Sequence, residues 1–175
     1  RFRHAEQTGA QAVTMAKEGS PTPDKIMTPD AFRNALTVLQ AIGGSTNAIV
    51  HLAAMAGRLG IEIDLDEFDE IGRNTQVLVD LKPSGDNYMD DMHKAGGTGP
   101  LLRELGDSLV LDAMTVNGKT LGENIADLPA GFDQSIIRTK ANPIAESGGM
   151  AVLKGNLAPD RCVIKHVAAS PELLK

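Results

Sequence analysis

The sequence predicts a mostly helical region up to about residue 106, followed by short strands that open a small β-barrel or sandwich. Before residue 106, apolar residues recur at helical spacing between capping residues. After it, Asn117-Gly118 lies between two strand-like runs, which is the strongest short-range signal for a hairpin. Turn residues also separate the later strand-like segments. We therefore place a boundary near Gly106.

Helix-boundary residues predict two helices in the first forty residues. A weak amphipathic pattern over residues 5–18 ends at Gly19. Thr28 offers a capping hydroxyl and Pro29 favours the first helical position, which together predict a helix over about 29–41.

The third predicted helix is the most apolar segment of the chain. Residues 48–56 are apolar around nearly the whole circumference, so we expect a helix buried on most sides. Gly57 and Gly60 follow it and predict its end. His51 is its one polar residue, and we interpret it as a hydrogen-bonded core histidine rather than a neighbour of an active site.

Shorter elements are predicted before the boundary. Asp64 followed by Glu67 resembles a capping box and predicts a short helix. Residues 75–81 read as a strand, and Pro83-Ser84-Gly85 predicts its end. Two further short helices are predicted: one ends near Gly96, and the other covers residues 100–105.

Beyond the boundary, the predicted elements are strands. Residues 113–116 and 119–121 flank the Asn-Gly turn as a hairpin. Further short strands are expected over 135–138, 150–153 and 162–167.

Composition excludes several classes of partner. The 175 residues carry a formal net charge of −6 with no run of Lys or Arg, which argues against nucleic acid or an anionic membrane. No stretch approaches about 20 apolar residues, so we expect a cytoplasmic protein. The chain opens without Met in a helix-like pattern and stops as another begins over 170–175, which predicts a segment of a longer protein.

The single cysteine limits redox and metal chemistry. Cys162 cannot form an internal disulfide, and one thiolate cannot hold a zinc ion or an iron–sulfur cluster. We expect it to be a buried structural thiol.

The candidate site is the glycine-rich helix start at residues 43–47. Free backbone N–H groups, two hydroxyls and an amide would meet there in one small volume, which suits a carboxylate or phosphate. The alternative is that the glycines serve close packing and a hydroxyl only caps the helix. The candidate substrate-binding residues are Gly44, Ser45, Thr46 and Asn47.

Charged residues further on offer weaker candidates. Asp90 and Asp91 follow Asp86 closely, but neighbouring helical side chains point about 100° apart, which favours a solvated face over a metal site. Lys82 is either a partner for a substrate carboxylate or a surface lysine.

Six blocks, in the same order, resemble the dihydroxy-acid dehydratase and phosphogluconate dehydratase family. The resemblance implies that residues 1–106 are the C-terminal part of the family's N-terminal α/β domain. Residues 107–175 would then be the first part of its C-terminal β-barrel domain. The blocks are residues 28–48, 65–69, 80–85, 95–97, 111–121 and 155–159.

The resemblance also implies an activity for the longer protein, which we expect to be a homo-oligomer with a small-molecule hydroxy-acid substrate. Such enzymes dehydrate a sugar acid or a 2,3-dihydroxy acid to a 2-keto acid, using an iron–sulfur cluster, Mg²⁺ and a serine base. The family's motifs for these groups are absent from this sequence, so their ligands would lie outside the segment. We therefore assign no catalytic or metal-ligating residue within it. The segment alone would be catalytically inactive.

Three readings of the function remain open. Residues 71–73 and 167–174 resemble the sugar-acid enzymes more than the branched-chain dihydroxy-acid dehydratases of amino-acid biosynthesis. The second reading is a non-catalytic module that binds a small anion. The third is a structural piece of a larger assembly, which would expose apolar surface on the helix at 45–56.

Overall fold

The computed structural model describes residues 2–128, 134–170 and 172. The described chain is mostly helical and ends in a two-stranded antiparallel sheet. The helices are α1 (Phe2–Glu18), α2 (Pro23–Ile26), α3 (Pro29–Ala41), α4 (Asn47–Arg58), α5 (Leu65–Asn74), α6 (Met89–Lys94), α7 (Thr98–Leu105) and α8 (Leu121–Ala126). The strands are β1 (Ala151–Gly155) and β2 (Ala158–Ile164), and 3₁₀ turns cover Gly106–Ser108 and His166–Ala168.

Helix α3 forms as its boundary residues predict. Thr28 has extended backbone angles, and its hydroxyl accepts a hydrogen bond from the N–H of Ala31 at 3.3 Å. Pro29 occupies the first helical position, where its missing N–H costs nothing. One face is buried through Phe32 and Leu36, so the prediction of a helix over 29–41 is confirmed.

Helix α5 also begins at its predicted capping residue, with a different partner. The Asp64 carboxylate accepts from the N–H of Asp66 at 2.9 Å. Glu67 does not complete a capping box but forms an ion pair with Arg33 of α3. The pair adds a polar contact between two helices that already pack together.

The predicted strand over residues 75–81 is an extended core segment rather than part of a regular ladder. It forms isolated antiparallel bridges, one between Val77 and Ala145 and one between Val79 and Ile137. Between them, Leu78 is completely buried. The segment therefore joins the part before residue 106 to the part after it.

The Asn117-Gly118 turn is confirmed, although it does not join two strands. A single bridge pairs Met114 with Thr120, and Gly118 has a φ of +79°. Thr120 then caps α8, because its hydroxyl accepts from the N–H of Glu123 at 3.2 Å while the Glu123 carboxylate accepts from the N–H of Thr120 at 2.7 Å. The predicted second strand over 119–121 is therefore cut short, because α8 begins at Leu121.

Strands β1 and β2 form the sheet that ends the described chain. Ala151 lies opposite Ile164 and Leu153 opposite Cys162. Because the described residues contain no larger sheet, the predicted opening of a β-barrel is not confirmed.

The prediction that Cys162 is a buried thiol was wrong, because Cys162 is exposed. It lies beside Leu153, which is 48% exposed, on a face of the sheet that no described element covers.

Two buried clusters form the core, and each combines residues from both sides of residue 106. One contains Leu78, Leu101 and Ile137. The other lies between α3, α5 and β1 and contains Phe68 and Met150. The two predicted regions therefore pack as one body within the described residues.

Helix α4 forms over the predicted span, but the prediction that it is buried on most sides was wrong. Only Ile49 and Ala56 are buried, whereas Val50 is 68% exposed. His51 is exposed too, so it is not a core histidine. The reason is geometric: α4 contacts α3 on one side, and no described element covers its remaining apolar circumference.

Across the described residues, no helix is both long enough and apolar enough to span a membrane.

Candidate functional site

The candidate site is the turn that connects α3 to α4. The N–H of Gly43 donates to the carbonyl of Gln40 at 3.1 Å, and the N–H of Gly44 donates to that of Leu39 at 3.0 Å. Gly43 has a φ of +53°, a conformation that other residues rarely adopt. These bonds and the positive φ of Gly43 therefore end α3 and lead the chain into the turn.

The residues after Gly43 leave hydrogen-bond donors free. Among the described residues, the N–H groups of Ser45 and Thr46 have no partner, and the Thr46 side chain makes no capping bond. The hydroxyl of Ser45 accepts from the N–H of Asn47 at 3.3 Å. Ser45 and Asn47 are exposed, while Gly44 and Thr46 are half-buried. The structure thus brings all four predicted residues to one surface at a helix N-terminus, an arrangement that suits an anion.

A second glycine approaches this turn from the C-terminal region. A Cβ placed on Gly149 would lie 2.5 Å from the Cα of Gly43, so the two backbones are in direct contact. Val167 packs against the same turn, with its Cγ2 3.5 Å from the Cβ position of Gly43. The turn is therefore held from outside as well as by its own hydrogen bonds.

Gln40 is the buried polar residue that links these segments. Its side chain is completely buried, and its Oε1 accepts from the N–H of Met150 at 2.9 Å. Its Nε2 faces the carbonyl of Phe68 at 3.5 Å, while its main-chain carbonyl accepts from the N–H of Gly149 at 3.1 Å. Sequence analysis did not identify Gln40. The available signals were an amide on the buried face of α3 and the Gly148-Gly149 pair that leaves room for it.

Ser84 is a further residue that sequence analysis missed. Its hydroxyl oxygen is buried without a hydrogen-bond partner in the described structure, and it lies 3.8 Å from the Cβ position of Gly43. The loop that carries it is organised by the Asp80 carboxylate, which accepts from the N–H of Asp86 at 2.8 Å and from the Asn87 amide at 3.0 Å. Its Pro-Ser-Gly sequence predicted only the end of a strand.

The other charged candidates have local roles. The Lys82 ammonium donates to the hydroxyl of Tyr88 at 2.9 Å and lies 4.4 Å from the centre of that ring. Asp90 pairs with Lys94 at 2.6 Å, and Asp91 accepts from the N–H of Tyr88 at 2.9 Å. These contacts confirm a solvated helix face with an acidic first turn.

The segment after β2 contacts the turn through Val167, which two polar residues precede. His166 lies with its Nε2 2.8 Å from the carbonyl oxygen of Gly148. Burial lowers the pKa of Lys165, the residue before it. The described C-terminal residues thus contribute both packing and polar contacts beside Gly43.

Several cavities lie away from the candidate site in the described part of the chain. Four cavities occur elsewhere, and residues 43–47 line none of these four. The largest of them, about 780 Å³, is a groove between α1 and the turn at Asn117. A polar cavity of about 270 Å³ lies beside the ion pair between Arg33 and Glu67.

The described residues do not form a metal centre. Nowhere in the described ranges do three or more His, Cys, Asp or Glu side chains gather closely enough to hold a metal ion. Cys162 is a single exposed thiol on β2. An iron–sulfur cluster therefore does not fit the residues that the structure describes, and these residues offer no group of three or more such side chains to Mg²⁺.

These features define an α/β segment with a glycine-rich helix start. Residues 1–124 match the family model described as dihydroxy-acid/6-phosphogluconate dehydratase N-terminal. Residues 135–175 match the C-terminal model of the same family. The chain belongs to the dihydroxy-acid/6-phosphogluconate dehydratase family.

Some relatives of this chain are named as sugar-acid dehydratases and others as dihydroxy-acid dehydratases. An L-arabonate dehydratase of Azospirillum brasilense is 46% identical over 100% of this chain and 30% of its own length. A dihydroxy-acid dehydratase of Ignicoccus hospitalis is 45% identical over 100% of this chain and 32% of its own. An L-arabinonate dehydratase of Rhizobium leguminosarum bv. trifolii is 43% identical over 97% and 29%. The chain spans about 30% of the length of these relatives.

Proposed function

We propose that this chain is a segment of a hydro-lyase that dehydrates a sugar acid or another 2,3-dihydroxy acid to a 2-keto acid. The observation that carries the proposal is the match to both family models in succession, over residues 1–124 and 135–175. Relatives named for an aldonate and relatives named for a dihydroxy acid are about equally similar, at 46% and 45% identity. The proposal therefore covers both substrate classes, which share a carboxylate and adjacent hydroxyls.

Within this function, we assign substrate binding to Gly44, Ser45, Thr46 and Asn47. The free N–H groups of Ser45 and Thr46 can donate to a carboxylate, and the α4 dipole favours negative charge at the same place. The side chains of Thr46 and Asn47 can donate to hydroxyl oxygens of the substrate. This turn would orient the substrate and would not itself transfer a proton.

The family resemblance implies an iron–sulfur cluster and Mg²⁺ in the complete enzyme. The described residues supply no suitable set of ligands, so we propose that both groups are held by residues outside this segment. The contribution of this chain is then to bind and orient substrate, while the polarising groups come from elsewhere in the protein.

We further propose the domain division that the resemblance implies, with residues 1–106 in the α/β domain and residues 107–175 in the C-terminal domain. In support, all but one of the α-helices described end by Leu105, and the β1–β2 sheet lies after it. The sugar-acid-like segment at 167–174 includes positions 171, 173 and 174, which lie outside the described residues.

The decisive experiment is expression of the complete protein and assay of 2-keto acid formation. L-arabonate, gluconate, xylonate and 2,3-dihydroxy-isovalerate would be compared as substrates after reconstitution with iron, sulfide and Mg²⁺. We expect turnover of at least one, with the ratio of kcat/KM values separating the sugar acids from the branched acid. A fully reconstituted protein that forms 2-keto acid from none of the four would refute the proposal.

The assigned turn is tested by Asn47→Ala in the same protein. Asn47 is exposed and its side chain has no described partner, so the folded state should be unaffected. Loss of one or two substrate hydrogen bonds should raise KM about tenfold. Gln7→Ala on α1, also exposed, is the matched control, and an equal KM for both variants would exclude a role for Asn47.

A further inference from the structure

Residues of the C-terminal family region hold the turn that the N-terminal family region carries. The carbonyl oxygen of Gln40 accepts from the N–H of Gly43 and from the N–H of Gly149, both at 3.1 Å. The Gln40 carbonyl therefore links Gly43, at the start of the candidate substrate turn, to Gly149, which lies more than a hundred residues further along the chain. Gly149 and Val167 then close on Gly43 from the side.

We propose that Gly149 is a positioning residue for substrate binding, acting through the backbone of Gly43. This inference rests on the proposed function, because it concerns how the turn is set for a substrate carboxylate. Gly149 is not one of the four residues assigned to the substrate, and its nearest backbone neighbour in the turn is Gly43. Its role is to allow two backbones to approach more closely than any side chain would permit.

The steric argument is specific to this position. A Cβ on residue 149 would lie 2.5 Å from the Cα of Gly43 and 3.3 Å from Cγ2 of Val167. A methyl group of Val167 can rotate away, whereas a backbone Cα can move only if the turn moves with it. The turn is also fixed by the hydrogen bonds of Gly43 to Gln40 and of Gly44 to Leu39, so moving Gly43 to relieve the contact would strain these bonds.

Displacement of Gly43 would be transmitted to the donors that follow. The N–H groups of Ser45 and Thr46 come two and three residues later, and hydrogen bonds weaken steeply once their angle is lost. A shift of about 1 Å in a positioning element can cost about 100-fold in catalytic efficiency. We therefore expect Gly149→Ala to raise KM by about 10- to 100-fold, with a smaller fall in kcat.

The experiment compares Gly149→Ala with Gly155→Ala in the complete protein. Gly155 lies at the end of β1, and a Cβ placed there would meet nothing within 4 Å. Both variants add one methyl group to the same region, and only the first reaches the turn. Two readouts are needed: KM and kcat for the best substrate, and hydrogen exchange at the amides of Gly43 and Gly44.

The expected result is faster exchange at Gly43 and Gly44 together with a raised KM in Gly149→Ala, and wild-type values in Gly155→Ala. If Gly149→Ala does not fold, Val167→Ala removes the second contact without adding bulk and should give a smaller change in the same direction. Wild-type exchange, or faster exchange with an unchanged KM, in a folded Gly149→Ala would overturn the proposal.

The two readouts also separate this proposal from the function it rests on. A wild-type protein without dehydratase activity would refute the proposed function, and substrate positioning would fall with it. The hydrogen-exchange comparison would then still decide whether Gly149 sets the conformation of the turn.

Discussion

Helices α3 and α4 flank the same turn and have similar lengths, yet they meet very different surroundings. Helix α3 buries seven residues, including the polar Asn34, Thr37 and Gln40. Helix α4 is the more apolar of the two in sequence but buries only Ile49 and Ala56. Apolar composition thus identifies a helix that can be buried, whereas the partners that pack on it decide how much is buried.

The largest contrast is expected from truncating one apolar side chain on each helix. Leu36 of α3 is 3% exposed and lies in the cluster with Phe68, so Leu36→Ala should lower the free energy of unfolding by about 2–5 kcal/mol. Val50 of α4 is 68% exposed, so Val50→Ala should change it by about 0.5 kcal/mol or less. Urea denaturation of both variants measures the difference. A loss of more than 1 kcal/mol for Val50→Ala in the complete protein would instead show that another part covers α4.

The second contrast concerns a buried amide and an exposed one. Gln40→Leu removes the acceptor of the Met150 N–H, and an unpaired buried donor should cost about 1–3 kcal/mol. Gln7→Leu on the exposed face of α1 should be close to neutral. Guanidinium denaturation compares the two, and equal midpoints would mean that Gln40 contributes packing but no polar link.

The third contrast is between the two N-caps. Thr28 caps α3 through its hydroxyl, so Thr28→Ala should lower the free energy of unfolding by about 1 kcal/mol. Thr46 makes no such bond at α4, so Thr46→Ala should have little effect on stability and should weaken substrate binding instead. Thermal unfolding and KM measured on the same two variants test this. The reverse pattern, with Thr46→Ala the less stable, would make Thr46 an ordinary cap.

The smallest expected effect is a pH dependence at the α5–β2 contact beside α3. The Arg161 guanidinium, 2.6 Å from the Asp66 carboxylate through Nε, lowers the pKa of Asp66. The ionised carboxylate therefore stabilises the fold above about pH 4, and this contribution is lost as the pH falls through the lowered pKa. In Asp66→Asn, the Tm should therefore depend less on pH below about pH 4 than it does in the wild type.

Glu62→Gln is the control for that measurement, because Glu62 is exposed and lies outside the ion pairs described above. Its Tm curve should follow the wild type over the whole range. A curve for Asp66→Asn that also coincides with the wild type would mean that solvent screens the pair completely.

Local signals in the sequence predicted local structure well. The cap at Thr28, the turn at Asn117-Gly118 and the glycine end of α4 all depend on neighbouring residues, and all are confirmed. The exposure of His51 and Cys162 was wrongly predicted because each depends on which distant elements cover a face.

The candidate site divides in the same way. Its donors lie in five consecutive residues and were visible as a pattern, although their role in binding stays a prediction. Gln40, Ser84 and Gly149 were missed, since their significance comes from contacts between segments far apart in the chain. The Gly148-Gly149 pair indicates in the sequence that another segment packs closely there, but the sequence does not identify that segment as Gln40 and Gly43.

The link between Gln40 and Met150 spans 110 residues, and this separation has a consequence for the order of folding. Helix α3 has local contacts and can form early, but contacts between distant residues must wait for a long loop to close. During synthesis at roughly 5–20 residues per second, residues 148–150 leave the ribosome about 5–20 seconds after Gln40 does. In that interval α3 is available to pack, whereas the turn at Gly43 still lacks the residues that give it its final shape.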